Sequence, residues 1–408
     1  MFDVVRFTQE IPPIALASGL PSAVHEERIE RTRQMLRERT LDVGFAYGNE
    51  LKPGDTGWLT GYDPHLEDTA CIVGAKKLII LGGPEGAAYA REMKKVGEYR
   101  NVEELKIPEE DYPGATFDSL RDLLEEACGG PVKRIGLLSM KSYLPVSLME
   151  LLEGAAREAV VDASDFLLKA KYHKDERELA IMETAALIST WAMRAMVEAV
   201  QPGMKETQVA ACADYVMKFL GADGRPGVQT LVNSGRRISN VIGRASNKVI
   251  EEGDLVLLGL SARYEGLASS ISRTLAAGKA SADSLELLEH GATAYERAER
   301  KIGFNLPAKG PDIAARSYLT GVGLHQMYSA VHGIGWTEAM EGIGAATQYS
   351  RYDFPRSIAL MLDVGIFGCP FKGLPAEKVG LRIEDPFLID GRGTLRKLTD
   401  LPLRVWKG

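Results

Sequence analysis

The chain changes character near Phe166, and that change limits the fold more than any other feature of the sequence. Before it, short apolar runs alternate with helical patterns. After it comes KAKYHKDERELAIMETAALISTWAMRAMVEAV, charged at its start and helical in composition. That stretch closes at Gln201-Pro202-Gly203, where Pro and Gly are expected helix stops. A chain of 408 residues is also too long for one ordinary hydrophobic core. Two domains are expected, 1–165 and 166–408.

In the first part, LDVGFAY (Leu41 to Tyr47), ACIVGA (Ala70 to Ala75), KLIILGG (Lys77 to Gly83) and RIGLLS (Arg134 to Ser139) read as strands ended by turn residues. Helical patterns occupy His25 to Glu38, Pro84 to Lys95, Thr116 to Cys128 and Pro145 to Ala159. Strands separated by helices predict a mixed α/β domain with a largely parallel sheet. No GxGxxG follows any of these strands, so nucleotide binding has no support. The segment WLTGYDPHLED, which holds Tyr62 and His65, reads locally as a strand followed by an acidic turn. In the second part a helix over Lys205 to Phe219 precedes a hairpin: the strand DLVLLG, the turn RYEG and the returning strand LASSISRTL. A helix from Ser281 to Ile302 follows, and the chain closes with VHGIG, IALMLDVGIFG and LRIEDPFLID.

Several function classes fall away. Net charge is -7 and the basic residues form no stripe, which excludes nucleic acid as a partner. No apolar run approaches the roughly 18 residues needed to cross a bilayer. The opening MFDVVRFTQEIPP lacks the basic stretch and apolar core of a secretory signal. The four cysteines share no CxxC spacing and read as free thiols in a cytoplasmic protein.

The helix opening KDERELAIMETAA, the stop QPGMKETQ, the hairpin GDLVLLGLSARYEGLASSISRT, the loop VHGIG, the strand IALMLDVGIFG and the final GLRIED stand in one order and spacing. In this the chain resembles the creatinase, aminopeptidase P and prolidase family. The resemblance implies an α/β (α+β) fold: a mixed α/β creatinase-like N-terminal domain and a C-terminal pita-bread domain, assembled as a homodimer. Peptidases of this fold hold two divalent ions with two Asp on the hairpin, one His in the HGIG loop and two Glu on the last strands. A paired-ion site needs several hard anionic oxygens close together. Here Gly259 and Ser270 stand at the two Asp positions, His332 at the His, Asp363 at the first Glu and Glu384 at the second. The family's supporting histidines are replaced by Ile242, Tyr328 and Ala339. Creatinase works without a metal but keeps the first of these histidines.

The residues that persist predict a creatinase-like, metal-independent hydrolase of a small C–N compound (amide, amidine or cyclic amidine), with no cofactor. His332 would act as general base, oriented by Asp363 or Glu384. Substrate contacts are expected from Ser270, Tyr328 and Arg382, and from Tyr62 and His65 by analogy with dimeric relatives. A purely structural cluster is the competing view, in which Asp363 pairs with His332 and Arg382 with Glu384. Alternatives for the whole protein are an inactive binding protein on the same fold, or a single-metal or Xaa-Pro peptidase-like hydrolase. In the single-metal case His332, Asp363 and Glu384 hold the ion, and Glu338 or Glu341 adds a ligand if the loop after HGIG bends inward.

Overall fold

The computed structural model describes residues 2–224, 227–339, 341–342 and 344–406. They fall into two compact units, Gly19–Lys171 and Met1–Ser18 with Tyr172–Gly408. The first unit is built on strands β1 (Val43–Gly48), β2 (Thr69–Gly74), β3 (Leu78–Gly82), β4 (Glu98–Asn101), β5 (Arg134–Leu137) and β6 (Ala159–Asp162). They line up as β4-β3-β2-β1-β5-β6. Both β1 and β2 are buried along their whole length, as their unbroken apolar runs require. Val43, Phe45, Ile72, Ile79 and Ile135 form the centre of that core with Leu124 and Leu152 from two helices.

Two local expectations for this unit need correction. The sheet is mixed: β1–β2 and β2–β3 are antiparallel, while β3–β4, β1–β5 and β5–β6 are parallel. Residues 75–77 alone join β2 to β3, too short a link for the crossover that parallel pairing needs. The segment read as a strand before Tyr62 is a helix, Gly54–Thr60, stopped by Gly61 at φ 75°.

The second unit carries one large sheet. Its strands are β7 (Leu231–Ser234), β8 (Leu255–Tyr264), β9 (Leu267–Ala276), β10 (Val331–Gly333), β11 (Ala345–Ala346), β12 (Ile358–Phe367), β13 (Gly380–Ile389) and β14 (Leu395–Lys397). The path is β11-β10-β12-β13-β9-β8-β7, with β14 added beside β13. The helical stretch after Phe166 is two helices, Ser164–Tyr172 and Glu176–Ala199. Asp175 explains the break: its carboxylate accepts the amides of Arg177 and Glu178, while the Glu178 side chain accepts the Asp175 amide, a reciprocal cap that starts a new helix. That helix and Glu206–Phe219 cover one face of the β8–β9 hairpin, burying Leu258, Leu260, Ala262 and Ile271 against Ile188, Met196 and Val216. Among the described residues no helix is long and apolar enough to cross a membrane.

Candidate functional site

Strand register decides which side chains meet. Asp363 lies opposite Glu384 and Gly365 opposite Arg382. His332 lies opposite Met361. Glu384 lies opposite Ser272, which the hairpin sets opposite Gly259, with Ser261 opposite Ser270. Paired residues share a face, and the face recurs at every second residue. His332, Asp363, Arg382, Glu384, Ser270, Ser272 and Gly259 therefore belong to one face of the sheet.

His332, Asp363 and Glu384 are all buried, and each offers one ligand atom such that these atoms lie within 4.8 Å of one another. The pairing within the cluster is the reverse of the structural expectation. His332 Nε2 lies 3.5 Å from Glu384 Oε1, and Arg382 Nε lies 3.5 Å from Asp363 Oδ1. Register brings the residues to one face, and side-chain reach across the strands then selects the partner. The Tyr328 hydroxyl donates to Asp363 Oδ1 at 2.8 Å and accepts from Arg382 Nε at 2.7 Å. Any Cβ at position 365 would collide with that hydroxyl, so Gly365 leaves the space it fills. Ser272 donates to Glu384 Oε2 at 2.8 Å. Behind the face, Arg273 is fully buried and fixes β13 by donating to the Glu384 carbonyl and to Asp385.

Electrostatics follow from this crowding. Burial opposes the charged form of His332, but the hydrogen bond and charge of Glu384, with Glu338 and Asp363 behind, outweigh it and raise the imidazole to about 9. Burial pushes Asp363 up, against the pull of Arg382 and with the push of Glu384. Glu384 is held low, because His332, Arg382 and the Ser272 hydroxyl together overcome the effect of burial. Free of a ligand, the cluster thus retains a proton that isolated groups would have released.

The loop after HGIG does bend inward. The Ser270 hydroxyl donates to Glu338 Oε1 at 2.6 Å. Glu341 is taken elsewhere, paired with Lys174 at 2.5 Å. Ser272 and Gly365 were missed in the sequence, although a period of two from Ser270 and from Asp363 places each on the same face. Tyr62 and His65 belong to the unit Gly19–Lys171. Tyr62 is buried there beside Tyr89 and Tyr99, whereas His65 is exposed, with Nδ1 3.4 Å from Glu50. Ile242 is exposed.

Comparison with known proteins adds findings of three kinds. The family described as Metallopeptidase family M24 matches residues 180–390. The chain is 29% identical over 374 residues to the Xaa-Pro dipeptidase of Pyrococcus furiosus, covering 91% of this chain and 97% of that protein. It is 30% identical over 321 residues to the Xaa-Pro dipeptidase of Pyrococcus horikoshii, covering 78% and 85%. Among solved structures, X-Pro aminopeptidase from Thermotoga maritima superposes with a TM-score of 0.78 at 24% identity, over 93% of this chain and 99% of that one. The prolidase from Pyrococcus furiosus gives 0.74 at 25% identity, over 90% and 99%.

These findings overturn the expectation of a site without a metal or other cofactor. The matched family is one of metallopeptidases, and His332, Asp363 and Glu384 converge closely enough to hold an ion. On the hairpin, Gly259 and Ser270 carry no carboxylate that could bind a cation. One imidazole and two carboxylates are a donor set that suits zinc, manganese or iron.

Proposed function

This chain belongs to metallopeptidase family M24, and from that premise we propose that it hydrolyses a C–N bond of a dipeptide-like or other small amide at a site holding one divalent ion. The convergence of His332, Asp363 and Glu384 carries the reading. Such an ion, when bound, supplies a Lewis acid for the scissile carbonyl. A second ion has no carboxylate on the hairpin. Even a Cβ at Gly259 would lie 3.0 Å from Ser272 Oγ, the group that donates to Glu384.

The chain's own residues do the rest. Glu384 is fixed by Ser272 at one oxygen and faces His332 with the other. Arg382 and Tyr328 together hold Asp363 in place. The one proton of the Tyr328 hydroxyl goes to Asp363 and its oxygen accepts from Arg382, so this phenol orients the carboxylate and the guanidinium. Arg382 offers a fixed positive charge to a carboxyl group of the substrate.

Metal analysis of protein purified without chelator, followed by assay on Xaa-Pro dipeptides and small amides, tests this reading. One equivalent of a divalent metal per chain is expected, with turnover abolished by chelator and by His332→Ala. Absence of metal, with no binding on adding zinc or manganese back, would refute it. Stoichiometric metal without turnover of any amide would favour the binding-protein alternative.

A further inference from the structure

The hairpin has lost its acids, yet a carboxylate stands over one of the vacated places. Glu338 reaches in from the loop after β10, and its Oε1 lies 2.6 Å from Ser270 Oγ, the serine at the second Asp position. The loop is pinned on either side of it. Trp336 Nε1 donates to Glu178 at 2.7 Å. The Thr337 amide donates to Glu341 Oε2 at 2.5 Å, and Glu341 is itself held by Lys174. The Glu341 amide returns to the Gly333 carbonyl, next to His332. Glu338 is therefore delivered by a braced segment, close enough that its charge is felt by both His332 and Glu384.

Two further observations bear on what it faces. Ser261 lies opposite Ser270 on the same sheet face, and its hydroxyl is buried without a hydrogen-bond partner among the described residues. A buried hydroxyl left unpaired is costly, which points to a bound group beside Glu338 that completes it. Charge count agrees. Burial and the Glu384 charge raise Glu338 above the ordinary carboxylate range, favouring its neutral form until a cation binds. With an ion bound, the ionised Asp363, Glu384 and Glu338 oppose one Arg382, and His332 is neutral as a ligand. One divalent cation balances that set, whereas without Glu338 the ion and Arg382 would leave an excess positive charge in a buried site.

We propose that Glu338 is the carboxylate this chain uses in place of the missing hairpin acid, its charge set through Ser270 against a single divalent ion at His332, Asp363 and Glu384. The proposal rests on the one-ion reading above. It moves a donor from a strand to a loop while keeping its position over the same sheet face.

Titration calorimetry with Mn2+ on the metal-stripped full chain tests it. Wild type should bind one ion. Glu338→Gln, which keeps the shape and a hydrogen bond to Ser270, should bind it about 10- to 100-fold more weakly. Its melting temperature with chelator present should be no lower than that of wild type, since a mutual repulsion has been removed. The double variant Glu338→Gln/Ser270→Asp should recover most of the affinity. Unchanged affinity in Glu338→Gln, with wild type still binding one ion, overturns this proposal and leaves the one-ion reading standing. A double variant no tighter than Glu338→Gln also overturns it, because the position of the carboxylate is what is asserted. Wild type that binds no ion overturns both.

Discussion

Replacing Lys174 by Met gives a direct test of how the site loop is held. Lys174 Nζ and Glu341 Oε1 are 2.5 Å apart, and each side chain is only 1% exposed. At an effective dielectric of about 20, the attraction at that separation is roughly 7 kcal/mol, much of it offset by the cost of removing both charges from water. Taking away the lysine alone leaves the carboxylate buried with the Thr337 amide as a remaining donor. The expected loss is about 3–5 kcal/mol, a fall in Tm of roughly 10 °C for a unit of this size. Removing both charges, in Lys174→Met/Glu341→Gln, should cost less than Lys174→Met alone, because no uncompensated ion is then buried. Urea unfolding followed by circular dichroism and by tryptophan fluorescence measures both, and Trp336 lies in the affected loop. Below its unfolding range, Lys174→Met should also bind Mn2+ more weakly, since Glu338 loses its support. A single variant within 1 kcal/mol of wild type, or a double variant showing the sum of the two single losses, would refute the reasoning.

Two other predictions concern pH. His332 without a ligand holds its proton up to about 9, and a metal-binding imidazole must be neutral. Asp363, raised by burial to about 7, must also be ionised to serve as a ligand. Apparent Mn2+ affinity should therefore rise between pH 6 and 8 by about 100- to 1000-fold and level off above 9, with proton release on binding; calorimetry in buffers of different ionisation enthalpy reads this, and a flat profile would count against His332 and Asp363 as ligands. His25 titrates the other way: burial and the nearby Arg28 charge lower it to about 4 from an ordinary 6.5. Between those values the unfolded chain binds the extra proton, so stability is present above pH 6.5 and is lost as pH falls towards 4. From pH 7 to 5 the loss is about 2 kcal/mol, and a His25→Gln variant should lack that part of the slope in urea unfolding.

Much of the fold is legible because each element carries its own period. The β8–β9 hairpin shows in the strand DLVLLG, the turn RYEG and the returning LASSISRTL. The helix Ala282–Glu299 shows in its apolar spacing and starts at the Ser281 cap. What failed depends on contacts between segments. Whether β2 and β3 run parallel is set by a three-residue link, not by their composition. The segment before Tyr62, read as a strand, is a helix that stops where Gly61 takes a positive φ and its amide closes on the Gly57 carbonyl. The single reading over Lys169 to Val200 missed a cap, although Asp175 followed by Glu178 is a start signal.

The site divides along the same line. That Gly259 and Ser270 cannot serve as carboxylate ligands is plain in the sequence, since it is a matter of which atoms the residues contain. Which partner His332 takes is not, since Asp363 and Glu384 lie opposite one another and only side-chain reach chooses between them. The position of Glu338 was legible only as a condition, that the loop bend inward. The bend is enforced by Glu341, whose carboxylate binds Lys174 and the Thr337 amide, and by Trp336 on Glu178. On the proposal made for Glu338, a carboxylate absent from the hairpin is answered by a residue far away in sequence, which no spacing rule within the hairpin would reveal. Judging such a site by counting the family's ligands at their usual positions underestimates the anionic oxygen it contains. The quantity that decides whether an ion can be held is the charge gathered on the sheet face, whichever element delivers it.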